Sequence, residues 1–368
     1  MPAFLFLMAA LRVVTPQTGE PVRGPRVIRV DAGELQIKKV DFFVDQVLIG
    51  SDDKAPFARL HDFGDGGRAH EIKVVAHLRR GAPLEREVVQ PPAPEVAARA
   101  RAVVVDVAVY DPDGALVEGL GPTDFSVEED GELQEVDFFA VGRDDPRPLS
   151  VLLAVDTSES MAERMRLASK AAAAFAGSLG ERGRVGLLTF DREVRLLSEL
   201  QSEPEVIQGA LERLEAGGDT ALLRALEEGS LLLREVPGRR VLVLFSDGID
   251  TCSRGLSFDT VRRELLEAEV TVFPIGMRRW TDSAETFLGR RQLLRLAQET
   301  GGRAQMLSSA GQIAGALEQV ATDLASRYMI SYRPPDACRS DYHQLSIAVQ
   351  QPELKVVAKP GYFDRTRM

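Results

Sequence analysis

Ser150-Val-Leu-Leu-Ala-Val155 followed by Asp156-Thr157-Ser158-Glu159-Ser160 is the stretch on which the fold turns. A nearly uninterrupted apolar run predicts a strand buried on both faces. The polar run at its end then sits where a strand gives way to a helix. In an open α/β sheet, ligands bind outside the carboxyl ends of the strands. Alternate positions bring Asp156, Ser158 and Ser160 within reach of one point in that loop. A carboxylate and two hydroxyls are hard oxygen donors, suited to magnesium, calcium or manganese.

Two later segments complete the set. Gly217-Gly218-Asp219-Thr220-Ala221-Leu222 is a glycine turn that places Thr220 just before a helix. Arg240-Val-Leu-Val-Leu-Phe-Ser-Asp247-Gly248 is a second buried strand ending in Asp247, and the glycine after it lets the chain turn sharply. Asp156, Ser158, Ser160, Thr220 and Asp247 are thus the candidate ligands, spread over three loops. Asp-x-Ser-x-Ser by itself also describes a helix cap. The ordered loops, each behind a strand or before a helix, favour a cation.

Around these loops strands and helices alternate, with strands expected at 149–155, 185–190, 241–245, 270–275 and 304–307. Met161, Met165, Ala168, Ala172, Phe175 and Leu179 form one apolar stripe at helical spacing, and Ile313, Leu317, Val320 and Leu324 form another. Both read as core-facing. Alternation of this kind predicts an α/β fold with a doubly wound, mostly parallel sheet.

The five candidate ligands closely resemble the metal-ion-dependent adhesion site of von Willebrand factor A domains, whose pattern is D-x-S-x-S, then T, then D. All five positions match. The resemblance implies that Ser158, Ser160 and Thr220 coordinate the ion, and that Asp156 and Asp247 act directly or through water. It also implies a coordination position open to an acidic side chain of a protein partner.

The flanks carry β signals. Residues 1–92 show short alternating runs at 27–30, 35–49, 57–63, 70–78 and 84–89, an all-β pattern. This region loosely resembles bacterial immunoglobulin-like modules. His61, Asp62 and Asp65 there read as hairpin-turn chemistry, together with Gly66 and Gly67. Gln90-Pro-Pro-Ala-Pro94 is a stiff linker. Strand signals recur over 98–147, including Asp124-Phe125-Ser-Val-Glu-Glu-Asp130-Gly131, and over 327–368, closing at Gly361-Tyr362-Phe363.

This layout resembles the acidobacterial-type "VWFA-related" proteins, in which a D-F-x-V-x-E-D-G-like segment precedes the A domain and a hairpin ending in G-Y-F follows it. Members often carry export signals, so the resemblance favours a secreted or periplasmic location. The expected organisation is an immunoglobulin-like β-sandwich at 1–92 and a split β domain at 98–147 and 327–368. A von Willebrand factor A domain at 148–326 is inserted in the latter. Helices antiparallel to their strands return the chain to the edge where the strands begin. Both junctions are therefore expected opposite the metal loops.

Composition removes other classes. The chain has 368 residues and a formal net charge of −11, with no basic run interleaved with aromatics, so nucleic acid is not an expected partner. Four histidines and two cysteines show no Cys-x-x-Cys or His-Glu-x-x-His spacing, giving a zinc enzyme no support. No stretch is long enough to cross a bilayer as a helix. Met1-Pro-Ala-Phe-Leu-Phe-Leu-Met-Ala-Ala10 is compatible with both a short export signal and a first strand. Cys252 follows the metal loop and Cys338 lies in the C-terminal hairpin, too far apart for a bridge on this layout. No histidine falls within 149–326, so a general base near the ion is lacking and an enzyme is not expected. Arg254, Arg278, Arg279 and Trp280 lie in loops that open on the metal face, and a rim for an acidic ligand would use such residues. Solvated surface loops are the plainer reading of the same residues.

Overall fold

The computed structural model describes residues 11–16, 22, 25–33, 35–53, 55, 57–63, 69–90, 102–161, 165–179, 183–201, 204–211, 214, 217–276, 284–334 and 342–363. The chain divides into two units, Met1–Ala97 and Ala98–Met368, each with its own core.

In the first unit the strands are β1 (Arg12–Thr15), β2 (Pro25–Asp31), β3 (Ile37–Val44), β4 (Val47–Asp52), β5 (Phe57–Asp62), β6 (His70–Leu78) and β7 (Leu84–Gln90). They form two antiparallel sheets, β1-β2-β5 and β4-β3-β6-β7. Alternation on β3 sends Val40, Phe42 and Val44 into a core shared with Ile28, Ile72, Val74 and Leu84. Two expectations change here. The run at 35–49 is not one strand: Asp45 and Gln46 both adopt left-handed φ, 49° and 68°, and fold it into the β3–β4 hairpin. His61 and Asp62 belong to β5 rather than to a turn, while 64–68 lie outside the described residues.

The second unit opens with β8 (Val103–Tyr110), β9 (Phe125–Glu129), β10 (Glu132–Gln134) and β11 (Val136–Val141). Then come β12 (Leu149–Asp156), α1 (Met165–Leu179), β13 (Gly183–Phe190), β14 (Val194–Gln201), α2 (Pro204–Leu211), α3 (Leu222–Arg234) and β15 (Arg239–Ser246). The order continues with α4 (Phe258–Glu267), β16 (Val270–Gly276), α5 (Ala284–Thr300), β17 (Gln305–Met306) and α6 (Ile313–Ser326). It closes with β18 (Tyr328–Tyr332), β19 (Tyr342–Val349), β20 (Lys355–Val357) and β21 (Gly361–Phe363).

The central sheet runs β14-β13-β12-β15-β16-β17, parallel except for β14 at the edge. β12 and β15 lie in the middle, which is why their sequences are apolar on both faces. Val151, Leu153 and Val155 face a core with Phe175, Leu317 and Val320; Leu152 and Ala154 face another with Leu226, Leu265 and Leu293. Both expected stripes supply core residues: Ala168, Ala172 and Phe175 on α1, and Ile313, Leu317, Val320 and Leu324 on α6 are buried. β14 was not anticipated. It is an amphipathic edge strand and lacks the apolar run of a buried one.

Two antiparallel sheets, β10-β9-β19-β21 and β11-β18-β8-β20, share a core of Val105, Val107, Phe125, Val127, Tyr328, Ile330 and Leu345. Strands from before and after the central sheet therefore pair directly: β18 lies between β11 and β8, and β19 pairs β9. The junctions meet where the parallel strands begin. Arg239 N–H donates to the Pro148 carbonyl (2.9 Å) and Gly142 N–H to the Arg327 carbonyl (2.8 Å). Gly142 has φ 46°, and a β-carbon there would collide with the Ala325 carbonyl oxygen, so no other residue fits unchanged.

Below these contacts is a network of charged groups. Arg327 and Asp323 pair at 2.6 Å, and Tyr110 donates to the same carboxylate. Arg147 binds Asp106 and Asp145, and Arg239 lies 3.8 Å from both. Burial alone would raise the Asp106 pKa, but Arg239 and Arg147 hold it below the ordinary value of 3.8.

Candidate metal centre

Asp156 ends β12, level with Phe190 on one side, while Val155 pairs Phe245 on the other and so sets Asp156 beside Ser246. The carboxylate is fully buried. Its Oδ1 accepts the Ser158 N–H at 2.9 Å and its Oδ2 the Ser246 hydroxyl at 2.9 Å. Burial, against the pull of the Ser158 and Ser246 hydrogen bonds and with nearby Asp247 adding to it, pushes its pKa up to about 6. Among the described residues no arginine, lysine or histidine forms an ion pair with it.

The three loops are stitched together through their backbones. Gly217 N–H donates to the Thr157 carbonyl (2.8 Å) and Glu159 N–H to the Gly218 carbonyl (3.3 Å), joining the first loop to the second. Thr251 N–H donates to the Thr220 carbonyl (2.8 Å), and Thr220 N–H to Thr251 Oγ1 (2.8 Å), joining the second to the third. Asp250 Oδ1 accepts the Leu223 N–H (3.0 Å) in the first turn of α3. Gly248 takes φ 82°, and a β-carbon there would come 2.7 Å from the Gly289 carbonyl oxygen of α5. The turn after Asp247 therefore requires glycine.

Ser158, Thr220 and Asp247 are buried, at 2, 5 and 5 % exposure. Ser160 lies in the short 3-10 turn Glu159–Met161, and its side chain is outside the described residues. Arg254 is exposed, Arg278, Arg279 and Trp280 fall outside the described residues, Cys252 is a half-buried free thiol and Cys338 also falls outside. Ser246, Asp250 and Thr251 were not singled out from the sequence. Their signal was the polar run Ser246-Asp-Gly-Ile-Asp-Thr251, but only the β12–β15 register makes Ser246 a neighbour of Asp156.

The donor chemistry fits a hard divalent cation. The buried Asp156 carboxylate at the strand crest is met by two neutral donors, one amide and one hydroxyl, and hard oxygen groups such as carboxylate and hydroxyl suit such an ion.

Residues 151–249 match the model of the von Willebrand factor type A domain. No match was found among curated proteins. Solved structures to which the chain is similar include the vWF domain of the type V pili tip protein Mfa5 from Porphyromonas gingivalis, 14 % identical over 50 % of this chain and 95 % of that one, with a TM-score of 0.41. The pilus adhesin SpaC from Lactobacillus rhamnosus GG, in an open conformation, is 13 % identical over 68 % and 49 %, with a TM-score of 0.42. Proximal thread matrix protein 1 from the mussel byssus, with a zinc-occupied MIDAS motif, is 19 % identical over 53 % and 50 %, with a TM-score of 0.43. No described helix is long and apolar enough to cross a membrane.

Proposed function

We propose that Asp156, Ser158, Ser160, Thr220 and Asp247 hold one divalent cation, magnesium in the first place and manganese or calcium as alternatives. The ion then anchors an Asp or Glu side chain of a partner protein. One observation carries this reading: a fully buried carboxylate at the crest of the sheet is met by hydroxyl and amide donors and by no described cationic side chain. A cation coordinated largely by neutral oxygens retains positive charge and attracts a carboxylate. The chain's own residues hold and orient the ion; Ser246 and the Thr220–Thr251 contacts keep its ligands in place.

The role is adhesion-type binding without catalysis. Within 149–326 there is no histidine, and the buried acidic groups at the crest are committed to the ion. Arg254, Arg278, Arg279 and Trp280 would rim the site for an acidic ligand. An Arg279→Glu variant that binds the partner as tightly as the parent chain would remove them from that role. The N-terminal all-β unit is taken as immunoglobulin-like, in keeping with this use.

A second reading, a conformational relay or assembly scaffold, draws on the end of α6. Its last turn is held from two sides, with Tyr110 of β8 in the split β domain donating to Asp323 and Arg239 at the start of β15 donating to the Leu324 carbonyl (2.9 Å). Hydrogen exchange in α6 that is identical with and without magnesium would set this second reading aside.

The main reading is tested by calorimetric titration of magnesium, manganese and calcium into chelator-treated protein, beside an Asp156→Ala control. Saturable uptake lost in the control is expected, as is partner capture that disappears with chelator. Magnesium uptake that survives Asp156→Ala would overturn the assignment.

A further inference from the structure

Away from the crest, the split β domain brings together three side chains of the kinds that ligate transition metals. Glu129 ends β9, and Asp130 opens the tight turn to β10, with φ 51° followed by 84° at Gly131. Asp130 is clipped to β19: its N–H donates to the Gln344 carbonyl (2.9 Å), and its Oδ1 accepts the Gln344 N–H (2.8 Å). Its Oδ2 then lies 2.8 Å from His343 Nδ1. Glu129 Oε1 is 3.3 Å from the same nitrogen. One ligand atom from each residue lies within 4.8 Å of the other two.

The surroundings orient this group. Glu129 Oε2 accepts the Tyr332 hydroxyl and, at 3.1 Å, the Tyr362 hydroxyl, which leaves Oε1 for the cluster. His343 is only 3 % exposed and stacks on Tyr362 with ring centres 5.2 Å apart. Its Nε2 has no hydrogen-bond partner, so this buried ring engages polar groups through Nδ1 alone, directed into the cluster. Two carboxylates around one ring nitrogen carry up to two negative charges against at most one positive. A divalent ion at that point balances them. Zinc bonds to nitrogen and oxygen of about 2.0–2.2 Å put tetrahedral ligands roughly 3.3–3.6 Å apart; the 3.3 Å between Glu129 and His343 already matches this, and the 2.8 Å hydrogen bond between Asp130 and His343 would open by about half an ångström as the ion replaces its proton.

We propose that Glu129 Oε1, Asp130 Oδ2 and His343 Nδ1 form a second divalent-metal site of zinc type, independent of the crest. Mixed nitrogen and carboxylate ligation suits zinc, cobalt or manganese better than magnesium. Asp130 is half exposed and leaves water a route to the remaining coordination position. Tyr332 and Tyr362 are positioning residues that act through Glu129. The bound ion would fasten the β9–β10 turn to β19, joining the two halves of the split domain.

The test uses the untagged full chain carrying Asp156→Ala, titrated with zinc by calorimetry and with cobalt by absorption. One zinc per chain is expected, and cobalt bands without thiolate charge transfer, which sets the site apart from Cys252 and Cys338. Adding His343→Ala or Asp130→Asn is expected to weaken zinc binding at least tenfold. Asp130→Asn is the control for folding, because asparagine tolerates the left-handed turn and the position is partly open. Absence of zinc uptake by the Asp156→Ala chain overturns the proposal, as does uptake indifferent to both substitutions. Equal magnesium uptake by the parent and the Asp156→Ala chain would remove the crest reading while leaving this one standing.

Discussion

The two ends of the central sheet bury acidic groups in opposite ways. At the base, Asp106, Asp145 and Asp323 sit among Arg147, Arg239 and Arg327, and Asp106 is held below its ordinary pKa. At the crest, Asp156 is buried as deeply but meets hydroxyls, an amide and the nearby charge of Asp247, and its pKa rises to about 6. Burial pushes both carboxylates the same way. What differs is the partner, so the base neutralises its charges internally while the crest, on the function proposed above, takes its counter-charge from solution.

The strongest way to break this contrast is Arg327→Met. Removing one partner of a buried ion pair leaves Asp323 uncompensated and is expected to cost about 3–5 kcal/mol in urea unfolding, with cation affinity at the crest unchanged. Asp156→Ala should do the reverse. In chelator its stability equals or exceeds that of the parent chain, because a desolvated carboxyl has gone. With cation at a hundredfold its Kd, however, it lacks about 2.7 kcal/mol of ligand-linked stabilisation, read as a missing shift in calorimetric melting. Ser246→Ala sharpens the crest alone: cation affinity should fall about 10–100-fold for loss of a supporting hydrogen bond, with about 1 kcal/mol of stability lost.

The smallest effect is on acid stability. Asp106 has a folded pKa below 3.8, so its stabilising contribution is whole above that pH and is lost as pH falls through the folded value. Asp106→Asn should therefore flatten the unfolding curve below about pH 3.8 and leave its slope near neutrality unchanged. A slope altered only near pH 6 would show that the base does not carry the titration.

Much of the α/β sheet was legible because β12 and β15 are buried on both faces and so carry almost unbroken apolar runs. The polar residues just past their ends therefore stand out. β14 was not legible: an edge strand needs only one buried face, and nothing in 194–201 distinguishes it from a loop. The Asp45–Gln46 turn escaped notice because neither residue is glycine, although both take left-handed φ. Ser246 was hidden for another reason. It is an ordinary serine until parallel register sets it beside Asp156, 90 positions away in sequence.

The sequence alone determined where the apolar runs end and which oxygen-bearing side chains follow them, since hydrophobic burial and turn chemistry act over a few residues. Tertiary structure alone decided which polar and charged groups meet. Asp156 with Ser246, Asp106 with Arg147 and Arg239, and Glu129 with His343 are pairs made by strand register and domain closure. Electrostatic interaction depends on distance in space and on local burial, and neither is written in the spacing of residues along the chain.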